Sequence, residues 1–397
     1  MRRIGLLLII FPFVTNSLNI QAFITKFISA SSAQSFAYLN VIVVAIGGVF
    51  FWRNNERFPV LIKLWFSFFL CYYIIGTVAA EIHGTSTPYL KSLIPLIYFI
   101  SYSIFLKFES NRKIFLQIVG ATFLTSCIFV IFFQWINFSM DSEGIYKYTL
   151  ERAGGVYGDA NQSAVVSILS FVFIFHKYKP ARPAGYFIKV LALAISLYAL
   201  FLTFSKTGFV VFILIILLAS YKMLTRRNVV LIICLVPAIL FVIIRSALQS
   251  DYLTALQKTR IENLINILTL NTSEIEMSNR DVLLRNMLGY VYENPVFGNG
   301  IYFSNIIRGH NTIIGVWADA GIIAFLIFLW ILIKYYLESL KSYDSTKYFS
   351  LSVLVTLTIF MLSLQTIINQ PYLLCIFVYL AYLIDATSVT EPKYHHN

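Results

Sequence analysis

Charge is what this chain has least of. Asp, Glu, Lys and Arg together supply 12% of its 397 residues, about half the share found in an ordinary globular domain. So few charges cannot cover a soluble fold in which 59% of residues are apolar, and the same balance excludes a disordered chain. Cysteine is scarce as well. Cys71, Cys127, Cys234 and Cys375 all fall within apolar runs, so neither a disulfide framework nor a cysteine metal site is expected. No Walker motif, Rossmann glycine pattern or H-E-x-x-H occurs, which removes the usual signs of a nucleotide or zinc-hydrolase site. There is no internal repeat, low-complexity tract or heptad run.

What the chain does have is apolar stretches long enough to cross about 30 Å of hydrocarbon. They fall near 4–24, 35–52, 59–80, 89–106, 114–136, 161–178, 187–204, 207–224, 229–244, 311–333, 348–366 and 371–385. The expected fold is therefore an all-α integral membrane protein of about twelve transmembrane helices with a helical outer (periplasmic) loop domain. Its expected organisation is a bundle over 1–244 with an outer loop at 137–160, a large outer loop over 245–310, and a second bundle with a short cytoplasmic tail over 311–397. Arg2-Arg3 followed by Ile4 to Val14 also has the form of a signal peptide. The small-residue site Ser29 to Ala33 lies far beyond that run, so a retained span is expected.

Lys and Arg set the orientation. With the N-terminus cytoplasmic, 19 of the 30 basic residues fall on the inner side, with 6 of the 18 acidic ones. The net charge of +12 is thus a topology signal on short loops and no sign of nucleic-acid binding. Both termini are expected in the cytoplasm. The inner loops are too short to fold, so any chemistry belongs to the outer side.

The loop over 245–310 carries Leu253, Leu256, Leu264 and Leu268 at helical spacing, then Leu284, Met287, Leu288 and Val291. Two amphipathic helices are expected there, resting on the membrane or on the bundle, the second opened by a Ser278–Asp281 capping box. Pro295, Gly298 and Gly300 break the chain beyond it. Five of this loop's six basic residues are Arg (Arg245, Arg260, Arg280, Arg285 and Arg308, beside Lys258). Arginine suits bidentate contact with phosphate, whereas lysine suffices for a positive-inside signal. Arg280 sits in the first helical turn, where free N–H groups already favour an anion. Ion pairs with Glu262, Glu274, Glu276, Asp281 and Glu293, or with lipid headgroups, account for these arginines equally well.

His310-Asn311 stands where the large loop meets the tenth stretch. A neutral histidine there can take a proton from a sugar hydroxyl; the alternative is a polar residue that marks the helix start. Asp319 lies half a turn round from His310, so a simple dyad is not expected. A carboxylate at that depth is costly and is usually functional or paired. Arg152, Gly154 and Gly155 lead into Asp159-Ala160-Asn161-Gln162, where Asp159 reads either as a helix cap or as part of a site. Lys206, in the Ser205-Lys206-Thr207-Gly208 turn, reads as a snorkelling anchor or a phosphate ligand. Glu81 and His83 lie in a short outer loop and fit either a structural or a binding role.

In order, RAGGVYGDANQSA (152–164), FLTFSKTG (201–208) and NRDVLLRNMLGYVYENPVFGNGIYFSNIIRGHNTIIGVWADAGIIAFLIFL (279–329) resemble the O-antigen polymerase and ligase superfamily (Wzy-like). The last piece is the most specific: an Arg-led helix, Glu-Asn-Pro, Phe-Gly-Asn-Gly, then His-Asn opening a span with Ala-Gly-Ile-Ile inside. The resemblance implies a glycosyltransferase of the bacterial inner membrane that uses an undecaprenyl-diphosphate-linked oligosaccharide donor and needs no metal or other cofactor. It implies His310 and Arg280 as catalytic residues, with Arg285, Arg152, Lys206, Asn311, Asp159 and Asn161 around the substrate. Beyond the donor and membrane lipid, a chain-length regulator protein is an implied partner. The family commonly has Arg where Lys206 stands, which weakens a bidentate role there. Ligases often carry a fuller polar run before His-Asn than Arg308-Gly309, which favours a polymerase. A transporter without covalent chemistry is the reading from another class; it calls for ionisable or broken-helix features at mid-membrane, and apart from Asp319 the spans are expected to be nearly free of both.

Overall fold

The computed structural model describes residues 2–52, 57–85, 88–140, 152–220, 280–365 and 367–388, with a few positions between 257 and 266. Among these residues the protein is all-helical, with no strand. Its helices are α1 (Arg2–Ser17), α2 (Ile20–Phe27), α3 (Ala30–Phe50), α4 (Val60–His83), α5 (Tyr89–Phe105), α6 (Glu109–Trp135), α7 (Ala160–Lys177), α8 (Pro183–Leu202), α9 (Lys206–Ser220), α10 (Arg280–Glu293), α11 (Phe303–Ile307), α12 (Thr312–Lys341), α13 (Asp344–Met361) and α14 (Pro371–Ser388). A single 3₁₀ turn, Gly155–Tyr157, precedes α7.

Five helices, α3, α4, α6, α8 and α12, are long and apolar enough to cross a membrane, and the α1–α2 pair makes a sixth if a bent pair counts as one span. Helices α5, α9 and α14 are apolar but shorter. Helices α7 and α13 are diluted by Ser163, Ser167 and Ser170 in one and Ser350, Ser352 and Thr356 in the other, all buried against neighbouring helices. Among the described residues five or six spans are thus supported, and the expected twelve are not confirmed. The stretch 229–244 and most of 245–279, including Ser278 and the Leu253–Leu268 pattern, lie outside the described residues.

Two expected spans change shape. The stretch 4–24 is two helices meeting at 62°, because Asn19 takes a left-handed conformation. Helix α2 packs beside the segments that follow α6 and precede α7: Phe27 stacks on Phe138, Lys26 lies over the same ring, and Asn19 Nδ2 donates to Val156 O at 2.9 Å. Ile9 and Phe13 of α1 are fully buried, and Tyr102 of α5 donates to Ile9 O at 2.8 Å, so α1 is an integral part of the bundle. Ser29, first of the small residues beyond it, caps α3 by accepting Ser32 N–H at 3.0 Å. The stretch 348–366 ends early as helix, at Met361, and the described residues among 363–370 are not helical.

The core is aromatic and centres on α4, α12 and α14. Trp65 packs against Phe68, Phe69, Phe99, Phe328 and Phe377, and its Nε1 donates to Tyr335 OH at 3.2 Å. Tyr335 OH in turn donates to Phe377 O at 2.8 Å. Each buried polar tip therefore has a partner, as burial of Trp and Tyr requires. Helices α6, α7 and α8 approach through small residues: Ser170 and Ser196 share a hydrogen bond at 2.9 Å, and Cys127 Sγ lies 3.7 Å from Ser167 Oγ. Close approach over small residues is how helices associate where the surrounding lipid is as apolar as they are.

Candidate functional site

Three polar corners form at one end of this bundle. The first joins the segment before α7 to the α8–α9 turn. Gly154 and Gly155 let the chain fold tightly there, since a Cβ on Gly154 would strike the Gly158 carbonyl and Gly155 has φ 51°. Asp159 is the N-cap of α7, accepting from Asn161 N at 2.7 Å and Gln162 N at 2.9 Å. The Asp159 carboxylate is thus engaged by the first turn, which answers the cap reading. Asn161, buried, accepts from Ser205 Oγ at 2.8 Å and Arg152 Nη2 at 3.4 Å. Arg152 Nε donates to Thr203 O at 3.0 Å, Ala153 N donates to Leu202 O at 3.0 Å, and Ser205 Oγ accepts Gly208 N–H at 3.1 Å. Two motifs some forty residues apart are thereby tied together, with half-buried Lys206 starting α9 beside them.

The second corner is a break in α12. Ala320 (φ −133°, ψ 20°) and Gly321 (φ 71°, ψ −174°) leave the helical region, which strips neighbouring backbone groups of their partners. The Asn294–Ile301 segment replaces them. Asn299 N donates to Ala318 O at 2.8 Å, Gly300 N to Asp319 O at 3.0 Å, and Ile322 N to Pro295 O at 3.0 Å. The segment also reaches α4, where Ile301 N meets Gly76 O at 3.3 Å, while Thr85 Oγ1 donates to Asn299 O at 3.0 Å. Irregular backbone at this depth is tolerated because protein, not lipid, satisfies it. A Cβ on Gly321 would fall on the Val296 carbonyl oxygen. Asp319, buried, accepts from Tyr72 OH and Ser304 N at 2.6 Å each and from Ser304 Oγ at 3.1 Å, so it holds the start of α11. Burial and the nearby Asp319 push the Tyr302 phenol above its ordinary value.

The third corner is His310. Helix α10 packs on α12 through fully buried Met287 and Val291, so the expected apolar face meets the bundle rather than the bilayer. Gly309 packs directly on Met287, which seats His310 beside α10. Arg280 opens α10, seven residues before Met287. Arg285 is exposed on a different face. Asn311 caps α12, its Oδ1 accepting Ile314 N–H at 3.0 Å. His310 N donates to Gln365 Oε1 at 3.3 Å, and Thr312 Oγ1 donates to Leu364 O at 2.5 Å.

The loop that carries Leu364 and Gln365 leads into α14, whose Tyr372 joins the first corner to the third. Gln162 Nε2 donates to Tyr372 OH at 3.2 Å, and the Tyr157 and Tyr372 rings stack at 6.0 Å. Gln365 and Tyr372 were not among the expected site residues. The sequence holds only an indirect signal for them: Asn369 and Gln370 fall between the last two apolar stretches, while Gln365 sits inside the first of the two.

An all-helical, multi-pass membrane protein that gathers Arg, Asn, Gln and His at one end of an apolar bundle is built to work at the membrane surface. Residues 191–329, from within α8 through the break in α12, match the O-antigen ligase family model (Wzy_C). The match is consistent with the O-antigen polymerase and ligase superfamily and supports a function of that type, with a glycosyltransferase-like role on lipid-linked glycans in a membrane. It spans about a third of the chain and includes Lys206, Arg280, Arg285, His310 and Asn311. No curated protein matches the chain.

Proposed function

We propose that the protein is a surface-polysaccharide repeat-unit polymerase, joining undecaprenyl-diphosphate-linked oligosaccharides on the periplasmic face of the bacterial inner membrane. The observation that carries this reading is the convergence of the three sequence motifs at one end of the bundle, two of them inside the segment that matches the family. In the reaction, Arg280 holds the donor diphosphate at the start of α10, where helix N–H groups add to its charge, with Lys206 as a further cation and Arg152 and Asn161 shaping the neighbouring corner. His310 takes the proton of the acceptor hydroxyl as its oxygen bonds to the anomeric carbon, while the bond from that carbon to the diphosphate oxygen breaks. Undecaprenyl diphosphate leaves with its charge stabilised by the cations, and no metal is required. Asn311 orients the acceptor from the neck of α12, and Arg285, facing away, contributes least.

Deletion of the gene followed by gel analysis of lipopolysaccharide tests this. A polymerase loss leaves core bearing a single repeat. Bare core with accumulated lipid-linked polymer is the result expected of a ligase, the second reading, which the match to an O-antigen ligase family model favours. Unchanged glycan removes both. The break in α12 is a broken-helix feature of the kind a transporter calls for and corrects the expectation that the spans lack one; against that reading, Asp319 and the broken backbone there are matched by protein groups. A chain-length regulator remains a proposed partner of the same face.

A further inference from the structure

Gln365 has no part in the reaction just described, yet it is the side chain that holds the backbone of His310. It is 8% exposed. Its Oε1 accepts His310 N–H at 3.3 Å, and its Nε2 is buried without a hydrogen-bond partner. The His310 N–H settles which way the amide lies, since the opposite orientation would set a donor against a donor. A buried amide donor left unsatisfied costs about 1–3 kcal/mol, and native folds keep few such groups without a reason. The backbone beside it is left-handed, with Arg308 and His310 at φ 52° and 51°, a region uncommon for Arg and better tolerated by His. The loop does not depend on Gln365 alone for its position. Thr312 Oγ1 donates to Leu364 O at 2.5 Å and accepts Ile367 N–H at 3.4 Å.

We propose that Gln365 contacts substrate in the His310 site: its Nε2 donates to an oxygen of the bound ligand while its Oε1 keeps hold of His310 N–H. The inference rests on His310 facing that ligand. Because Nε2 is enclosed, the contact requires the 308–311 corner to shift. The ligand group is an oxygen with a lone pair, supplied either by the acceptor hydroxyl or by the donor diphosphate.

Gln365→Glu isolates the donor, because a carboxylate still accepts His310 N–H but has nothing to give the ligand. The deletion strain is complemented with wild type, Gln365→Glu, Gln365→Met and His310→Ala, and glycan is measured at equal membrane levels of protein. Undecaprenyl diphosphate is titrated against the full-length protein in nanodiscs of phosphatidylethanolamine and phosphatidylglycerol. Both Gln365 variants are expected to lose at least tenfold in glycan product with an unchanged melting temperature. A parallel loss of undecaprenyl diphosphate affinity assigns the contact to the diphosphate; unchanged affinity assigns it to the acceptor hydroxyl. Wild-type product from Gln365→Glu, with His310→Ala inactive, overturns the inference alone and leaves Gln365 as a tether. If Gln365→Glu does not reach the membrane, wild-type product from Gln365→Met overturns it in the same way. An active His310→Ala overturns the reaction reading itself, and the ground for Gln365 with it.

Discussion

At the scale of single residues, the structure separates groups that look alike in sequence. Asp159 and Asn311 both cap helices, but their surroundings differ. Asp159 belongs to a corner in which Arg152, Asn161 and Ser205 bind one another, whereas Asn311 adjoins His310 and the loop that holds it. Asp159→Asn is therefore expected to keep both stability and product, since Asn caps as well as Asp; Asp159→Ala is expected to cost about 1 kcal/mol of stability and still leave product. His310→Ala and Arg280→Ala are expected to abolish product with normal membrane levels. Arg285→Ala, exposed and on another face of α10, is expected to change product by less than twofold. Glycan ladders and thermal melts of the purified proteins check the set. Normal ladders from both His310→Ala and Arg280→Ala would remove the mechanism.

At the scale of elements, the decisive feature is the pairing of a broken helix with the segment that mends it. Gly321 is the hinge of that pairing, because its φ is positive and its missing Cβ makes room for Val296 O. Gly321→Ala is expected to displace the 294–301 segment and sharply reduce the amount of protein recovered from membranes. Gly289, within α10, has nothing within 4 Å of an added Cβ; Gly289→Ala should instead stabilise by up to about 1 kcal/mol through helix propensity. Equal recovery of the two variants would show that the backbone pairing at the break contributes little. The helices themselves were legible, since apolar runs and the Leu284–Val291 spacing mark them directly. The break was not: Ala320-Gly321-Ile322-Ile323 is apolar, and hydropathy records side chains rather than backbone torsion. Pro295, Gly298 and Gly300 announced a chain breaker, but nothing local says that its carbonyls and N–H groups will meet those of residues 318–322. Gln365 was hidden for a related reason, absorbed into an apolar stretch whose helix stops at Met361. The Asp159 cap was readable because it is a contact over three residues; the Arg152 to Thr203 bond joins segments that only the folded chain brings together.

At the scale of the whole molecule, the two ends of the bundle differ as the Lys and Arg distribution requires. Residues assigned to the inner side meet one another: Arg2 Nη2 donates to Ser110 Oγ at 2.5 Å, Lys113 pairs with Glu109 at 2.7 Å, and Thr387 Oγ1 donates to Ser342 Oγ at 3.2 Å. Residues assigned to the outer side also meet one another, as the Thr85–Asn299, Arg152–Thr203, Gln162–Tyr372 and His310–Gln365 bonds show. No bond crosses between the sets among those named, so the count of basic residues sorts the chain the same way that packing does. Which end faces the cytoplasm is an expectation that rests on charge alone, and it decides where the proposed chemistry occurs. A reporter inserted at Gly84, a left-handed turn with open space around it, is expected to read out as periplasmic. One inserted at Pro180, between α7 and α8 and beside Lys177, Lys179 and Arg182, is expected to read out as cytoplasmic. Paired phosphatase and fluorescent-protein fusions at both positions make the measurement. The reverse pattern would place His310 and Arg280 on the cytoplasmic face, away from translocated lipid-linked glycan, and the polymerase and ligase readings would fall together.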